Sequence, residues 1–134
     1  MKILLVSSNQ EKVPYPVLPI GLCYVAEALE KAGHEVRLLD LCFERRTARA
    51  LNRAVRAFDP GLVGVGIRNM DNCDYYYPKN FVPEAKRVVA EIRAATNAPV
   101  VIGGSAVSVL PRPMFEAIGA DWAIVGDGEL SAVE

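Results

Sequence analysis

A short apolar run, Val100-Val101-Ile102, stops at Gly103-Gly104-Ser105-Ala106. A β-branched run of this length predicts a buried strand. Two glycines at its carboxyl end let the backbone turn sharply and let a ligand approach with no Cβ in the way. Open α/β sheets bind ligands outside the carboxyl ends of their strands, so this turn is the expected ligand edge. A second turn of the same kind, Val125-Gly126-Asp127-Gly128-Glu129, follows the next apolar stretch. Two such turns side by side suit a broad, flat ligand better than a single phosphate.

The other chemistry-bearing residues are sparse. Cys23, Cys42 and Cys73 are separated by 19 and 31 positions, far from the two-to-four-residue spacing of zinc or iron–sulfur sites. Each reads as a reduced thiol, and Cys23, in an apolar helical stretch, is expected to be buried. The single histidine, His34, follows Gly33 and precedes a strand, at the edge opposite the expected ligand face. It therefore reads as structural. No Ser/His/Asp, Cys/His or metal constellation can be assembled, so no catalytic residue and no protein-held metal is expected.

The elements that must hold the glycine turns alternate without a break. Strands are expected at Lys2 to Ser7, Glu35 to Leu41, Leu62 to Ile67, Val100 to Ile102 and Trp122 to Val125. Helices are expected from Pro19 to Gly33, Glu44 to Phe58, Pro83 onward and Pro113 to Ile118. Apolar strands alternating with helices imply a parallel sheet covered on both faces. The half-polar second strand belongs at an edge and the uncharged third at the centre. That favours a flavodoxin-like three-layer sandwich of order 2-1-3-4-5 over the order 3-2-1-4-5.

A chain of 134 residues is expected to form one domain, long enough for a core but with no room for a second domain. A hydrophobic content of 51% fits a buried sheet, and a net charge of −1 points away from nucleic acid and anionic membranes. The apolar run Ile3 to Val6 is too short for a signal core or a spanning helix, so a cytoplasmic location is expected.

The usual occupants of this fold fit poorly. Receiver chemistry needs acids after strand one and an aspartate ending strand three; here stand Ser7-Ser8-Asn9 and Ile67-Arg68-Asn69. A dinucleotide fold needs glycines between strand one and helix one, where Asn9 to Gly21 holds three prolines and one glycine. Gly64 and Gly66 lie inside strand three, where close packing by a helix explains them. Asp40 reads as a solvated strand-end acid. A flavin mononucleotide site remains a lesser alternative, with only Ser7 and Ser8 for its phosphate.

Taken in order, several segments resemble the amino-terminal cobalamin-binding domain of cobalamin-dependent radical S-adenosylmethionine enzymes. They are Lys2 to Val6, Leu18 to Ala26, Leu29 to Asp40, Gly103 to Ala106 and Asp121 to Glu129. The resemblance implies a corrinoid held over the carboxyl edge, its nucleotide tail entering the domain. Carried over by position, the binding rim comprises Ser7, Ser8 and Asn9; Arg68, Asn69, Met70 and Asp71; Gly103, Gly104, Ser105 and Ala106; and Gly126, Asp127, Gly128 and Glu129. Ser105, Asn69 and backbone N–H groups would meet the amide and phosphate oxygens.

Many relatives carry Asp-x-His-x-x-Gly after strand one, with the histidine on cobalt; this chain has none there. The resemblance thus implies cobalamin without a histidine ligand from this domain. It also implies that residues 1–134 are the front domain of a longer enzyme. A radical domain holding a [4Fe-4S] cluster and S-adenosylmethionine would follow, with methyl transfer or related radical chemistry as the outcome. The contrasting expectation is a cofactor-free interaction domain that shapes a neighbouring substrate cleft. The loop Asn72 to Pro78, with Tyr75, Tyr76 and Tyr77, could pack on the corrin, on the following domain or on its own domain.

Overall fold

The computed structural model describes residues 1–133. Five parallel strands form one sheet of order β2-β1-β3-β4-β5: β1 (Lys2–Ser7), β2 (Glu35–Asp40), β3 (Leu62–Gly66), β4 (Val100–Gly103) and β5 (Trp122–Ala123). The helices are α1 (Ile20–Lys31), α2 (Thr47–Phe58), α3 (Val82–Ala95), α4 (Ser105–Val109), α5 (Pro111–Ile118) and α6 (Gly128–Ser131). The expected flavodoxin-like three-layer order is therefore the observed one. The half-polar β2 lies at an edge, and β3 pairs on both sides, with Leu4 against Val63 and Val65 against Ile102.

Alternation along β1 divides its side chains between two cores. Leu4 and Val6 face the larger core with Val63, Val65, Val100 and Ile102 of the neighbouring strands. There α2 contributes Leu51, Val55 and Phe58, and α3 contributes Val88, Val89 and Ile92. Ile3 and Leu5 face the smaller core, where α1 supplies Leu29, with Leu22, Val25 and Ala26 half-buried. On the larger core, the Arg37 guanidinium lies 4.5 Å from the centroid of the Phe58 ring and covers it.

Several boundaries differ from the sequence reading, each for a local reason. Helix α2 begins at Thr47, not Glu44, because the Asp40 carboxylate accepts the Cys42 N–H at 3.1 Å and caps a 3₁₀ turn at Leu41–Phe43. Glu44 is then extended, and Asp40 is a cap rather than a free strand-end acid. Strand β5 stops at Ala123, and α4 forms where only a turn was expected. Cys23 is exposed, correcting the expected burial, because α1 turns it away from Leu29. Gly66 answers the close-packing expectation, since a Cβ there would sit 2.8 Å from Leu22 of α1. At Gly64 the space is filled instead by Leu5 of the adjacent strand.

Candidate functional site

All strands run the same way, so the connections after β1, β3, β4 and β5 emerge at one edge. Hydrogen bonds stitch them into a continuous rim. The Ser8 hydroxyl donates to the Gly66 carbonyl at 2.9 Å, joining the ends of β1 and β3. The Ile67 N–H donates to Gly103 O at 2.8 Å, and the Ser105 hydroxyl donates to Arg68 O at 2.5 Å, joining β3 to the turn after β4. Ser108 closes the series: its hydroxyl donates to Gly104 O at 3.1 Å and accepts the Gly126 N–H at 2.9 Å. The four predicted turns thus converge on one edge. Ser108, the residue joining the last two, was absent from the sequence reading; its only signal was a hydroxyl three positions beyond Ser105.

The glycines at this edge differ in purpose. Gly104 has φ +101, and a Cβ there would lie 2.6 Å from the Ile67 carbonyl oxygen. Its missing side chain clears the backbone of β3's continuation, not a ligand path. Gly103 has ordinary room, since a Cβ there would meet Ile124 only at 3.7 and 3.8 Å. Gly126 has φ +85 and opens onto empty space. A Cβ at Gly128 would sit 3.1 Å from Val25 of α1, so the glycine lets α6 lie close on that helix.

The remaining predicted rim residues separate by burial. Ser7, Ser8 and Ala106 are buried, and Met70 packs against the larger core. Arg68, Asn69, Asp71, Ser105, Asp127 and Glu129 are exposed. The Ser105 proton is committed to Arg68 O, which leaves its oxygen only as an acceptor for a ligand. Between the ends of β1 and β3, Ser8, Asn9, Ile67, Arg68, Asn69, Phe81 and Glu84 line a small recess of mixed character. That is the point in a 2-1-3-4-5 sheet where the connections diverge and ligands enter.

The connections that leave this edge also carry exposed apolar and aromatic side chains. Val13, Tyr15 and Leu18 in the connection after β1, Tyr75 to Tyr77 after β3, and Val125 after β5 are all exposed. Several exposed apolar side chains on connections from one edge make that edge a candidate contact surface. Lys79 reaches across from the β3 connection to the Glu11 carboxylate of the β1 connection at 2.5 Å. That hydrogen bond, helped by the Val13 N–H, holds the Glu11 carboxyl below its ordinary range.

His34 lies at the opposite edge, where its Nδ1 meets the Met1 amino group at 3.1 Å. Six residue steps, from His34 to Asp40 beside Ser7, separate it from the rim, about 20 Å at ~3.3 Å per residue. Among the described residues no group of three or more His, Cys, Asp and Glu could hold a metal ion, and no helix is long and apolar enough to cross a membrane.

Comparison with known proteins matches the B12 binding domain family model over residues 8–134. The tryptophan 2-C-methyltransferase of Streptomyces laurentii is 37% identical over 125 residues, which is 90% of this chain and 20% of that protein. The radical S-adenosylmethionine methyltransferase TsrM of Kitasatospora setae, solved with cobalamin and a [4Fe-4S] cluster bound, superposes with a TM-score of 0.93 at 35% identity. That match covers 98% of this chain and 23% of TsrM. The cobalamin-dependent S-adenosylmethionine radical enzyme OxsB shares the fold at a TM-score of 0.70 and 15% identity, over 98% of this chain and 18% of OxsB. The chain therefore spans about a fifth to a quarter of the length of these proteins.

Proposed function

Because this chain belongs to the B12 binding domain family, we propose that it is the corrinoid-holding domain of a larger radical S-adenosylmethionine methyltransferase. The observation that carries this reading is the rim itself: four strand-end turns joined by hydrogen bonds around an open, apolar edge. A corrinoid presents apolar faces, a fringe of amides and a nucleotide tail. The residues present fit such a group. Exposed Val13, Tyr15, Leu18 and Val125 would meet its apolar faces, while Asn9, Arg68 and Asn69 would meet its amides and phosphate. Gly126, with nothing within 4 Å of its Cβ position, leaves the edge clear for a flat tail.

When bound, cobalamin would supply a cobalt-borne methyl group; the protein would supply orientation and exclusion of water. Ser8 and Ser108 hold the turns in register, and Ser105 fixes the Arg68 carbonyl. Gly103, Gly104, Ser105 and Ala106 with Gly126, Asp127, Gly128 and Glu129 would form one wall of the site. Ser7, Ser8 and Asn9 with Arg68, Asn69, Met70 and Asp71 would form the other. The only imidazole sits at the far edge with Met1, so this domain would leave the cobalt without a histidine ligand. The [4Fe-4S] cluster and S-adenosylmethionine would belong to the catalytic part of the longer chain, in the cytoplasm.

Hydroxocobalamin titration with visible spectra, followed by gel filtration, tests this. A retained corrinoid with bound spectral shifts is the expected result. A folded protein that elutes colourless would refute it. Electron paramagnetic resonance of the reduced cobalt should show no coupling to a protein imidazole nitrogen.

A further inference from the structure

The three tyrosines of the connection between β3 and α3 are unusual in two respects. Tyr75, Tyr76 and Tyr77 are 91%, 83% and 79% exposed, yet the loop that carries them is tightly built. Asn72 Oδ1 accepts the Lys79 N–H at 2.8 Å, and its amide nitrogen donates to Tyr77 O at 2.9 Å. Asp74 Oδ1 accepts the N–H groups of Tyr76 and Tyr77 at 2.9 and 3.0 Å. Asp71 and Asn80 form an antiparallel bridge at the base, and Lys79 ties the loop to Glu11. The sequence thus spends two side chains, Asn72 and Asp74, on presenting tyrosines to solvent.

Two occupants could cover them, the corrin or another protein surface, and the ring geometry separates these. Tyr75 and Tyr76 stand edge to face, 5.5 Å apart with an interplanar angle of 89°. Two perpendicular rings cannot both lie flat on one planar macrocycle. They suit a surface with relief, where one ring enters a crevice and the other lies over its lip, each phenol meeting a polar group. Area points the same way. Three such side chains, at about 150–250 Å2 each, supply most of the roughly 800 Å2 that one partner brings to a standard protein interface. A preformed loop loses little conformational entropy on docking, as rigid aromatic anchors do in general.

We propose that the Tyr75–Tyr77 loop is a docking anchor for the catalytic part of the longer polypeptide, not a stacking platform for the corrinoid. This rests on the reading of the chain as one domain of a larger enzyme. The loop leaves the sheet at the corrinoid edge, so docking there would position the catalytic part beside the cofactor.

The test uses the full-length enzyme, treated with tetranitromethane with and without bound cobalamin, and maps nitrated tyrosines by mass spectrometry. Tyr75, Tyr76 and Tyr77 should nitrate severalfold more slowly than in the urea-unfolded chain, equally in both states. Protection that appears only with cobalamin bound would overturn the proposal in favour of corrin contact. Protection lost on dilution to monomer would overturn it in favour of a second copy, and no protection would overturn it outright. A triple variant, Tyr75→Ser with Tyr76→Ser and Tyr77→Ser, provides an independent arm. It should keep the wild-type corrinoid content while amide exchange rises severalfold in segments outside residues 1–134. Unchanged exchange there would contradict the proposal. Failure of the corrinoid reading would show separately, as an absent visible spectrum in the wild type.

Discussion

Replacing three of the edge glycines, Gly103, Gly104 and Gly126, by alanine one at a time separates backbone necessity from ligand clearance. Gly104→Ala places a Cβ at φ +101, 2.6 Å from Ile67 O and 3.1 Å from the Ile67 C and N. A non-glycine residue held in such a region costs about 1–3 kcal/mol. Relieving the clash also moves the Ile67 carbonyl, which accepts the Ala106 N–H at 3.2 Å. Weakening that bond costs about another 0.5–1.5 kcal/mol. The expected loss is about 3 kcal/mol, which in a domain of this size corresponds to roughly 10 °C in Tm. Gly126→Ala has φ +85 but no neighbour within 4 Å, so only the conformational cost of about 1–2 kcal/mol applies. Gly103→Ala meets Ile124 only at ordinary contact distance, and should stay within about 0.5 kcal/mol of wild type. Urea unfolding followed by far-ultraviolet circular dichroism reads all three, with an unchanged m-value showing that stability alone has moved. The reasoning is refuted if Gly104→Ala unfolds with the wild type, or if Gly126→Ala is the more damaging.

Cysteine reactivity and pH dependence test other parts of the structure. Cys23 and Cys73 are exposed and Cys42 is buried, its thiol pushed up by burial. A disulfide reagent should therefore titrate two thiols in the native protein and the third only after unfolding. Cys73 donates to Asp71 Oδ1 at 3.2 Å, and that carboxylate holds its thiol protonated. Asp71→Asn should accelerate its reaction near neutral pH, and an unchanged rate would exclude this contact. The Asp121 carboxylate accepts the Val100 N–H at 2.7 Å and pairs with Arg93 at 3.0 Å; these contacts hold it below the ordinary carboxylate range. A depressed folded pKa means stability present above the ordinary carboxylate value and lost as pH falls through the lowered one. Asp121→Asn should thus be less stable than wild type at pH 7, with the gap closing in acid. Equal melting temperatures at pH 7 would count against it.

Much of the fold was legible because burial leaves a periodic trace. Continuous apolar runs marked β1, β3 and β4, while Val36 and Leu38 alternating with Arg37 placed β2 at an edge. Amphipathic spacing placed α2 and α3 against the larger core. Short elements were less legible. Helix α4 is five residues long, too short for a period to emerge, and β5 ends as soon as its pairing with β4 ends. The start of α2 was missed because the Asp40 cap acts through its side chain and leaves no hydrophobic signature. Cys23 was misplaced because an apolar stretch that covers only the smaller core leaves part of its surface exposed.

By itself the sequence determined the class of fold and the strand order, and pointed to the edge where the glycine turns emerge. Those follow from local patterns of hydrophobicity and from glycine, whose permissiveness is intrinsic. Only the tertiary structure decided what each glycine is for. The pressure on Gly104 comes from Ile67, 37 positions earlier and just past the end of the neighbouring strand β3. Likewise only packing joined Ser108 to Gly126 and left three tyrosines standing clear of the domain. Contacts between residues far apart in the chain carry no local periodicity, so they exist as information only once the sheet has brought them together.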